Sequence, residues 1–196
     1  MALLHENLLR AFLCQVVPFA DDELERSLGL FRFHCFEPKD YIFCAGDSVQ
    51  TIHFVLVGIG RYFYVDQDGS ERNKSLVSKG GAFASMTSLI EGQTSPFYTQ
   101  ALTACVTASI RYEDLQKLAS DSPRWMAFIL TLYERLVLKK EKREAGLLLL
   151  SAKQRYVQFL QEFGADGELI PLKHVAMYLG ITDVSLSRIR REMGLT

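Results

Sequence analysis

The sequence has few cysteines, no long apolar run and almost no net charge, and each shortage argues against a class of protein. Cys14, Cys35, Cys44 and Cys105 never show CxxC spacing, which argues against a zinc site, an iron–sulfur cluster and a disulfide framework. We expect these four cysteines to be buried as small apolar residues. No apolar run approaches the roughly 20 residues of a membrane span, and the N-terminus lacks a signal-peptide pattern. We therefore expect a cytoplasmic protein with no membrane partner and no metal.

Catalytic motifs are lacking as well. There is no glycine-rich phosphate loop, no GxSxG and no cluster of His, Asp and Glu. The histidines, His5, His34, His53 and His174, show no paired spacing that would suggest haem ligation. The sequence thus predicts a protein that is not an enzyme and has no cofactor, although a small-molecule effector of unknown identity remains open. Because the net charge is -1, any contact with a polyanion must come from a local basic patch.

The first two thirds of the chain change from helical to strand-like patterns. Leu4, Leu8 and Phe12 recur at helical spacing, and Asp21 is a plausible N-cap for a second helix. Between residues 31 and 110, short segments rich in aromatic and β-branched residues alternate with Gly, Pro, Asp and Ser, and Asp68-Gly69 is typical of a hairpin turn. About eight strands at this spacing indicate an antiparallel sandwich or jelly-roll. The segments are Tyr41–Phe43, Ile52–Val57, Arg61–Val65, Lys74–Val77, Tyr98–Leu102 and Val106–Ile110.

A long helix is predicted to start at Ser122-Pro123, an N-cap followed by a first-turn proline. Its apolar residues form one stripe. The residues leave two alternatives open: the stripe docks on the chain's own β domain, or it pairs with a second copy in a homodimer. Ser151 is predicted to cap the next helix, which ends at 164–167. The stripe that would form the dimer interface consists of Trp125, Phe128, Ile129, Leu132 and Leu136.

The segment from Leu172 to Met193 has the spacing of a helix-turn-helix. Ala176 lies where two helices would pack most closely, and Gly180 can adopt the left-handed turn that ends the first of them. Thr182 is predicted to cap the second helix. The predicted inward residues are Leu172, Val175, Ala176, Leu179, Leu186, Ile189 and Met193, with Ile181 filling the turn.

The opposite face of the second helix carries the predicted contacts with double-stranded DNA. Arg188 could bridge guanine O6 and N7, Asp183 could accept from cytosine N4, and Val184 could contact a thymine methyl. Hydroxyls and the other arginines suit phosphates. The plainer alternative is a helical hairpin whose cationic face is merely solvated. The predicted DNA-contacting residues are Thr182, Asp183, Val184, Ser185, Ser187, Arg188, Arg190 and Arg191.

The order of these parts resembles the Crp/Fnr superfamily, named for the catabolite activator and the fumarate–nitrate regulator. The residues that carry the resemblance are Lys39-Asp40-Tyr41-Ile42-Phe43, Ala45-Gly46-Asp47, Phe54-Val55-Leu56-Val57-Gly58, Tyr64-Val65-Asp66, Tyr178-Leu179-Gly180-Ile181-Thr182 and Leu186-Ser187-Arg188-Ile189-Arg190. The resemblance implies an α+β fold with a cyclic-nucleotide-binding-type β-barrel of jelly-roll type over residues 1–118, a dimerisation helix and hinge over 119–147 and a helix-turn-helix domain over 148–196. It also implies a bacterial transcription regulator that binds DNA as a homodimer and has RNA polymerase as a further partner.

The stretch that resembles the family's cyclic-nucleotide pocket departs from the family pattern. The Glu and Arg that would hold ribose and phosphate are both absent, and a buried phosphate without a cation is costly. We therefore expect neither cyclic AMP nor cyclic GMP in the usual mode. The remaining side chains suit a small neutral or weakly charged effector, or the hydroxyls merely cap a turn and a short helix. These residues are Phe83, Ser85, Met86, Thr87, Ser88, Thr94 and Ser95.

A second departure concerns the end of the chain. Many relatives add a β-hairpin wing after the recognition helix, and the residues after Met193 are too few to build one. We expect fewer phosphate contacts as a result. The alternative function is a cyclic-nucleotide-responsive sensor with weak or lost DNA binding, although such a protein would not need the outward Arg188 and Arg191.

Overall fold

The computed structural model describes residues 2–195 and has an α+β fold, as the sequence predicts. Eight strands occupy the N-terminal part, and most helices lie before or after them. The helices are α1 (Ala2–Val16), α2 (Asp21–Leu28), α3 (Met86–Glu91), α4 (Tyr112–Asp121), α5 (Pro123–Leu149), α6 (Ala152–Phe163), α7 (Leu172–Leu179) and α8 (Asp183–Glu192), with a 3₁₀ helix at Gly164–Leu169. The strands are β1 (Arg32–Phe36), β2 (Tyr41–Phe43), β3 (Thr51–Val57), β4 (Gly60–Val65), β5 (Glu71–Val77), β6 (Ala82–Phe83), β7 (Tyr98–Ala101) and β8 (Cys105–Arg111).

The strands form two four-stranded antiparallel sheets, in the orders β1-β8-β3-β6 and β2-β7-β4-β5. Except for the β4–β5 hairpin, successive strands alternate between the two sheets, which is the jelly-roll arrangement. Val55 of one sheet and Val77 of the other pack in one buried cluster with Phe83 and Phe97. The described residues form two facing sheets and not one closed barrel, so that detail of the prediction is wrong. We call these two sheets the β-roll.

The long helix α5 docks on the outer face of the β-roll. Ser122 caps it by accepting from the backbone N–H groups of Arg124 and Trp125. Trp125 and Phe128 are 1% and 0% exposed and pack with Phe54 of β3. Ile129 and Leu132 lie against the same core, and Leu136 is 42% exposed. The predicted dimer stripe is therefore largely internal to this chain, which is the first of the two alternatives that the sequence leaves open.

The C-terminal helices form a separate core around aromatic residues of α6. Ser151 caps α6 in a capping box with Gln154. Val175, Ala176, Leu186 and Ile189 are all 5% exposed or less, as the helix-turn-helix spacing predicts. Two β-roll side chains, Ile59 and Leu76, join this core, so the C-terminal helices contact the β-roll directly.

Three finer predictions differ from the structure. Asp21 is the first residue of α2 and the N-cap is Ala20. Leu172 is 44% exposed and takes no part in the helix-turn-helix core, because it occupies the first turn of α7 beyond the end of the packed stripe. Cys14 and Cys35 are exposed and Cys44 is half-buried, which leaves Cys105 as the buried cysteine of the four.

Candidate nucleic-acid interface and effector region

The turn between α7 and α8 fixes the geometry of the candidate nucleic-acid interface. Gly180 has φ +67° and ψ +37°, a left-handed conformation that glycine adopts without steric penalty. The N–H of Ile181 returns to the carbonyl of Ala176 at 3.1 Å and so closes the helix end. Thr182 then caps α8, since its Oγ1 accepts from the N–H of Ser185 at 3.2 Å. The left-handed turn at Gly180 and the Thr182 cap were predicted from residue type and spacing.

The outward face of α8 is available to a partner. Val184 is 80% exposed and the side chain of Arg188 is 75% exposed. Asp183, Ser187 and Arg191 are exposed as well. Arg188 has one carboxylate nearby, Glu192, with 3.8 Å between Nε and Oε1, and an exposed pair at this distance contributes little. The predicted orientation of these side chains is confirmed, whereas their roles at DNA remain a prediction.

Arg190 departs from the predicted set because its side chain turns back into the domain. Its Nη1 donates to the hydroxyl of Tyr156 at 2.6 Å, and its Nη2 donates to the carbonyl of Leu195 at 3.0 Å. Tyr156 is 1% exposed and lies at the centre of the C-terminal core. Arg190 therefore braces α8 against α6 and does not belong to the outward face. Ser185 is likewise half-buried, with its Oγ 3.0 Å from that of Thr182.

Two arginines of the basic run 135–155, a segment rich in lysine and arginine that precedes α7, hold the end of that helix. Arg143 Nη1 donates to the carbonyl of Tyr178 at 2.9 Å, and Arg155 Nε donates to that of Leu179 at 3.0 Å. Carbonyls in the last turn of a helix lack intrahelical partners, so these bonds stabilise the helix end. Burial lowers the pKa of Arg143. Part of this basic run is therefore structural.

The first helix of the helix-turn-helix is tied to strand β5. Asn73 Nδ2 donates to the carbonyl of His174 at 3.0 Å, and Lys139 Nζ of α5 donates to the carbonyl of Leu76 at 3.1 Å. Burial, followed by the charge of Arg61, lowers the pKa of His174 to about 4. Strand β5 is thus a shared element between the β-roll, α5 and α7.

The seven predicted effector residues differ in their burial and in their hydrogen bonds. Ser95 bonds the backbone of Phe97, with its Oγ donating to the carbonyl at 2.9 Å, so it stabilises a turn as the plainer alternative has it. Ser85 and Ser88 differ: they are 0% and 8% exposed, and their hydroxyls have no partner among the described residues. Phe83 is fully buried, Met86 and Thr87 are half-buried, and Thr94 is exposed. These seven side chains therefore do not all converge on one pocket.

Two further features escaped the sequence interpretation. One is an exposed apolar face of α5, formed by Met126, Leu130, Tyr133 and Val137, which are 37–59% exposed. Its spacing of i, i+4, i+7, i+11 is visible in the sequence and could have been recognised. The other is Lys74, which points into the β-roll. Its position depends on an irregularity in β5 that no local sequence signal announces.

Comparison with known proteins agrees with this geometry. Residues 33–122 match the family model of the cyclic nucleotide-binding domain. The cAMP-activated global transcriptional regulator CRP of Pasteurella multocida is 24% identical over 146 residues, which are 74% of this chain and 70% of that protein. The c-di-GMP responsive global regulator CLP of Xanthomonas campestris has a similar structure, with a TM-score of 0.68 and 22% identity over 89% of this chain and 92% of that one. The catabolite activator protein of Thermus thermophilus has a TM-score of 0.55 and 21% identity over 93% and 86% of the two chains.

The β-roll, the long helix and the helix-turn-helix together have the architecture of transcription regulators that carry a cyclic-nucleotide-binding-type domain. Residues 33–122 belong to the cyclic nucleotide-binding domain family, and the chain as a whole is similar in sequence and fold to regulators of the Crp/Fnr superfamily. Its C-terminal helices form a helix-turn-helix, and within residues 2–195 no helix has the length and apolar character of a membrane span.

Proposed function

We propose that this protein binds double-stranded DNA sequence-specifically by placing α8 in the major groove. The observation that carries the proposal is the two-sided character of α8. Leu186 and Ile189 are buried in the core, whereas Val184, Ser187 and Arg188 stand outward. Arginine can bridge guanine O6 and N7, and valine can contact a thymine methyl, so one helix face offers contacts to two kinds of base.

The proposal includes a homodimer formed through the exposed apolar face of α5. Met126, Leu130, Tyr133 and Val137 lie on the side of the helix that does not contact the β-roll. A second copy related by a twofold axis would cover this face with its own equivalent residues. Such a dimer would present two α8 helices about 34 Å apart, one turn of DNA, and would bind a nearly palindromic site. RNA polymerase is a further partner that a transcription regulator of this class implies.

The proposal excludes cyclic AMP and cyclic GMP as effectors bound in the family's usual mode. The segment that would hold a cyclic phosphate contains Ser85, Met86 and Ser88 and no arginine. A phosphate buried there would have hydroxyl donors but no neutralising charge, which makes its desolvation costly. Calorimetric titration with both cyclic nucleotides is expected to show no saturation below the millimolar range.

Selection of bound sequences from random duplexes tests DNA binding directly. Wild-type protein is expected to enrich a palindrome. Arg188→Ala should relax one position in each half-site, with a loss of roughly 1–3 kcal/mol per good base contact. Arg26→Ala is the matched control, because Arg26 is similarly exposed but lies on α2. Absence of enrichment by the wild type at low salt would overturn the proposal and favour a sensor without DNA binding.

A further inference from the structure

Lys74 occupies a β-bulge in the strand that joins the β-roll to the helix-turn-helix. Between β4 and β5, Tyr62 pairs with Ser75 and Phe63 pairs with Asn73, so Lys74 is an extra residue with no partner in the ladder. A bulge of this kind redirects a side chain, and bulges are common beside functional sites. Here Asn73 faces the helix-turn-helix, whereas Lys74 turns to the opposite, inner face.

The environment of Lys74 is aromatic and carries no negative charge. Its Nζ lies 3.6 Å from the ring centroid of Phe97, 5.5 Å from that of Tyr62 and 5.8 Å from that of Tyr64. In residues 2–195 the ammonium makes neither a hydrogen bond nor an ion pair. Burial, followed by the charge of another cation, Lys140 of α5, lowers the pKa of Lys74 to about 8.

Stability alone does not account for a lysine at this point. A cation half-removed from water and facing a second cation is costly, even when aromatic rings compensate in part. Methionine would fill a similar volume without that cost. A group that destabilises its fold and is aimed inward by a bulge is typical of a binding site.

We propose that Lys74 is the anion-binding residue of an effector site between β5, Phe97 and α5, which takes a small organic acid. The carboxylate or phosphate of the ligand would accept from Nζ, and its apolar body would lie against Phe97 and Tyr62. The proposal rests on the proposed function and names the chemical class of its effector. It revises the sequence-based expectation of a neutral or weakly charged ligand, because the missing cation is supplied by β5 instead of by residues 82–97.

The same strand gives the site a route to the helix-turn-helix. Lys74 adjoins Asn73, whose side chain donates to the carbonyl of His174 in α7. It also lies two residues before Leu76, whose carbonyl accepts from Lys139 of α5. The residue that would move on binding an anion lies in the bulge, the least regular part of β5. A shift of the bulge backbone would also move the contacts of β5 with α5 and α7.

The charge of the ligand and the identity of the lysine can be tested separately. The probes are benzoate and phenyl phosphate, with benzamide as the neutral match for benzoate. NMR titration of the lysine ammonium groups in the full chain, without DNA, follows the pKa of Lys74. Benzoate or phenyl phosphate should raise this pKa from about 8 towards the ordinary value of about 10.4. Benzamide should not.

Variants separate a binding role from a structural one. Lys74→Met should abolish saturable binding of both anions and leave the fold at least as stable, whereas Lys74→Arg should retain binding. Lys79→Met, an exposed lysine beyond the end of β5, is the control that should change nothing. If neither anion alters the Lys74 pKa up to about 20 mM, or if Lys74→Met binds them as well as the wild type, the proposal is wrong. Duplex selection measures DNA binding independently of these titrations. A failure of the proposed DNA binding can therefore be distinguished from a failure of the proposed effector site.

Discussion

The side-chain amide of Asn73 donates to the backbone carbonyl of His174 across 3.0 Å, and this bond fastens the helix-turn-helix to the β-roll. Asn73 is 7% exposed, and its Oδ1 accepts from Arg61 Nη1 at 3.1 Å. The amide is thus held from both sides. The bond connects the sensor domain to α7 without passing through the long helix α5.

Removal of the Asn73 side chain should loosen α7. In Asn73→Ala the carbonyl of His174 and the guanidinium of Arg61 each lose a hydrogen-bond partner. We therefore expect the free energy of unfolding to fall by about 1–3 kcal/mol. Amide hydrogen exchange across residues 172–179 should accelerate, because the helix loses its tie to β5. Ser75→Ala is the control: its hydroxyl bonds only the neighbouring Leu76 carbonyl. Unchanged exchange in α7 would show that Asn73 does not hold the domain.

Charge on the exposed face of α5 should prevent assembly. Leu130 and Val137 are 56% and 59% exposed, so the double variant Leu130→Glu, Val137→Glu should leave the monomer folded. The dimer should weaken by more than about 100-fold, because its interface would bury unpaired carboxylates. Sedimentation at about 10 µM should show a dimer for the wild type and a monomer for the variant. Leu3→Glu, on an exposed site of α1, should remain dimeric. A wild-type monomer would refute the interface.

The inner face of α5 should respond differently. Phe128 is fully buried in the chain's own core, so Phe128→Ala should lower the free energy of unfolding by about 3–5 kcal/mol. Urea unfolding measures this loss. Leu138→Ala, at a site on the same helix that is 53% exposed, should cost much less. Equal losses for the two variants would contradict the assignment of the helix faces.

A side chain at position 180 should destabilise the fold although there is space for one. A Cβ there would meet Leu147 Cδ2 at 3.6 Å, an ordinary contact, but φ of +67° strains any residue with a Cβ. We expect Gly180→Ala to cost roughly 1–2 kcal/mol in thermal unfolding. Gly29→Ala serves as the counterpart, since Gly29 has φ -61° and open space around it, and it should be neutral or stabilising.

Acid should weaken the β-roll through His53. Burial, followed by the charge of His34, lowers the pKa of His53 to about 4, and its ring bonds the hydroxyls of Thr51 and Thr107. The unfolded chain binds this proton near pH 6.5, whereas the folded chain binds it near pH 4. The contribution of neutral His53 to the free energy of unfolding is therefore fully present above pH 6.5 and is lost as the pH falls towards 4. We expect a loss of about 2 kcal/mol between pH 7.5 and 5.

Comparison with His53→Gln isolates this effect. The variant should show a smaller difference between urea unfolding at pH 7.5 and at pH 5, even if its stability at pH 7.5 is lower. Part of the pH dependence should persist, since burial also lowers the pKa of the adjacent His34. An identical pH dependence in wild type and variant would contradict the assignment.

Local signals were sufficient for six of the eight strands and for the helix-turn-helix, whereas β1 and β6 were not recognised as segments. Glycine at 180 and alanine at 176 report a backbone conformation and a close approach that few other residues permit, so the turn could be predicted from residue type. The same holds for Ser122 and Ser151, because a capping side chain bonds the backbone next to it.

Long-range choices could not be predicted in the same way. Helix α5 is apolar around much of its circumference, so periodicity alone does not say whether the side with Phe128 or the side with Leu130 meets the β-roll. The direction of Lys74 depends on a one-residue slip between β4 and β5. Arg190 lies on a helix surface beside Arg191, and only the position of Tyr156 turns one of them inward.

The inward turn of Arg190 has a consequence for the ionic-strength dependence of the proposed complex. Each phosphate that a protein neutralises releases condensed counterions, with a slope of about -0.9 in log affinity against log salt. With Arg190 engaged by Tyr156, the outward face of each α8 carries two arginines, Arg188 and Arg191, where the sequence suggests three. A dimer would then release roughly two fewer counterion equivalents, so the affinity of its DNA complex should fall less steeply with rising salt than its arginine content implies.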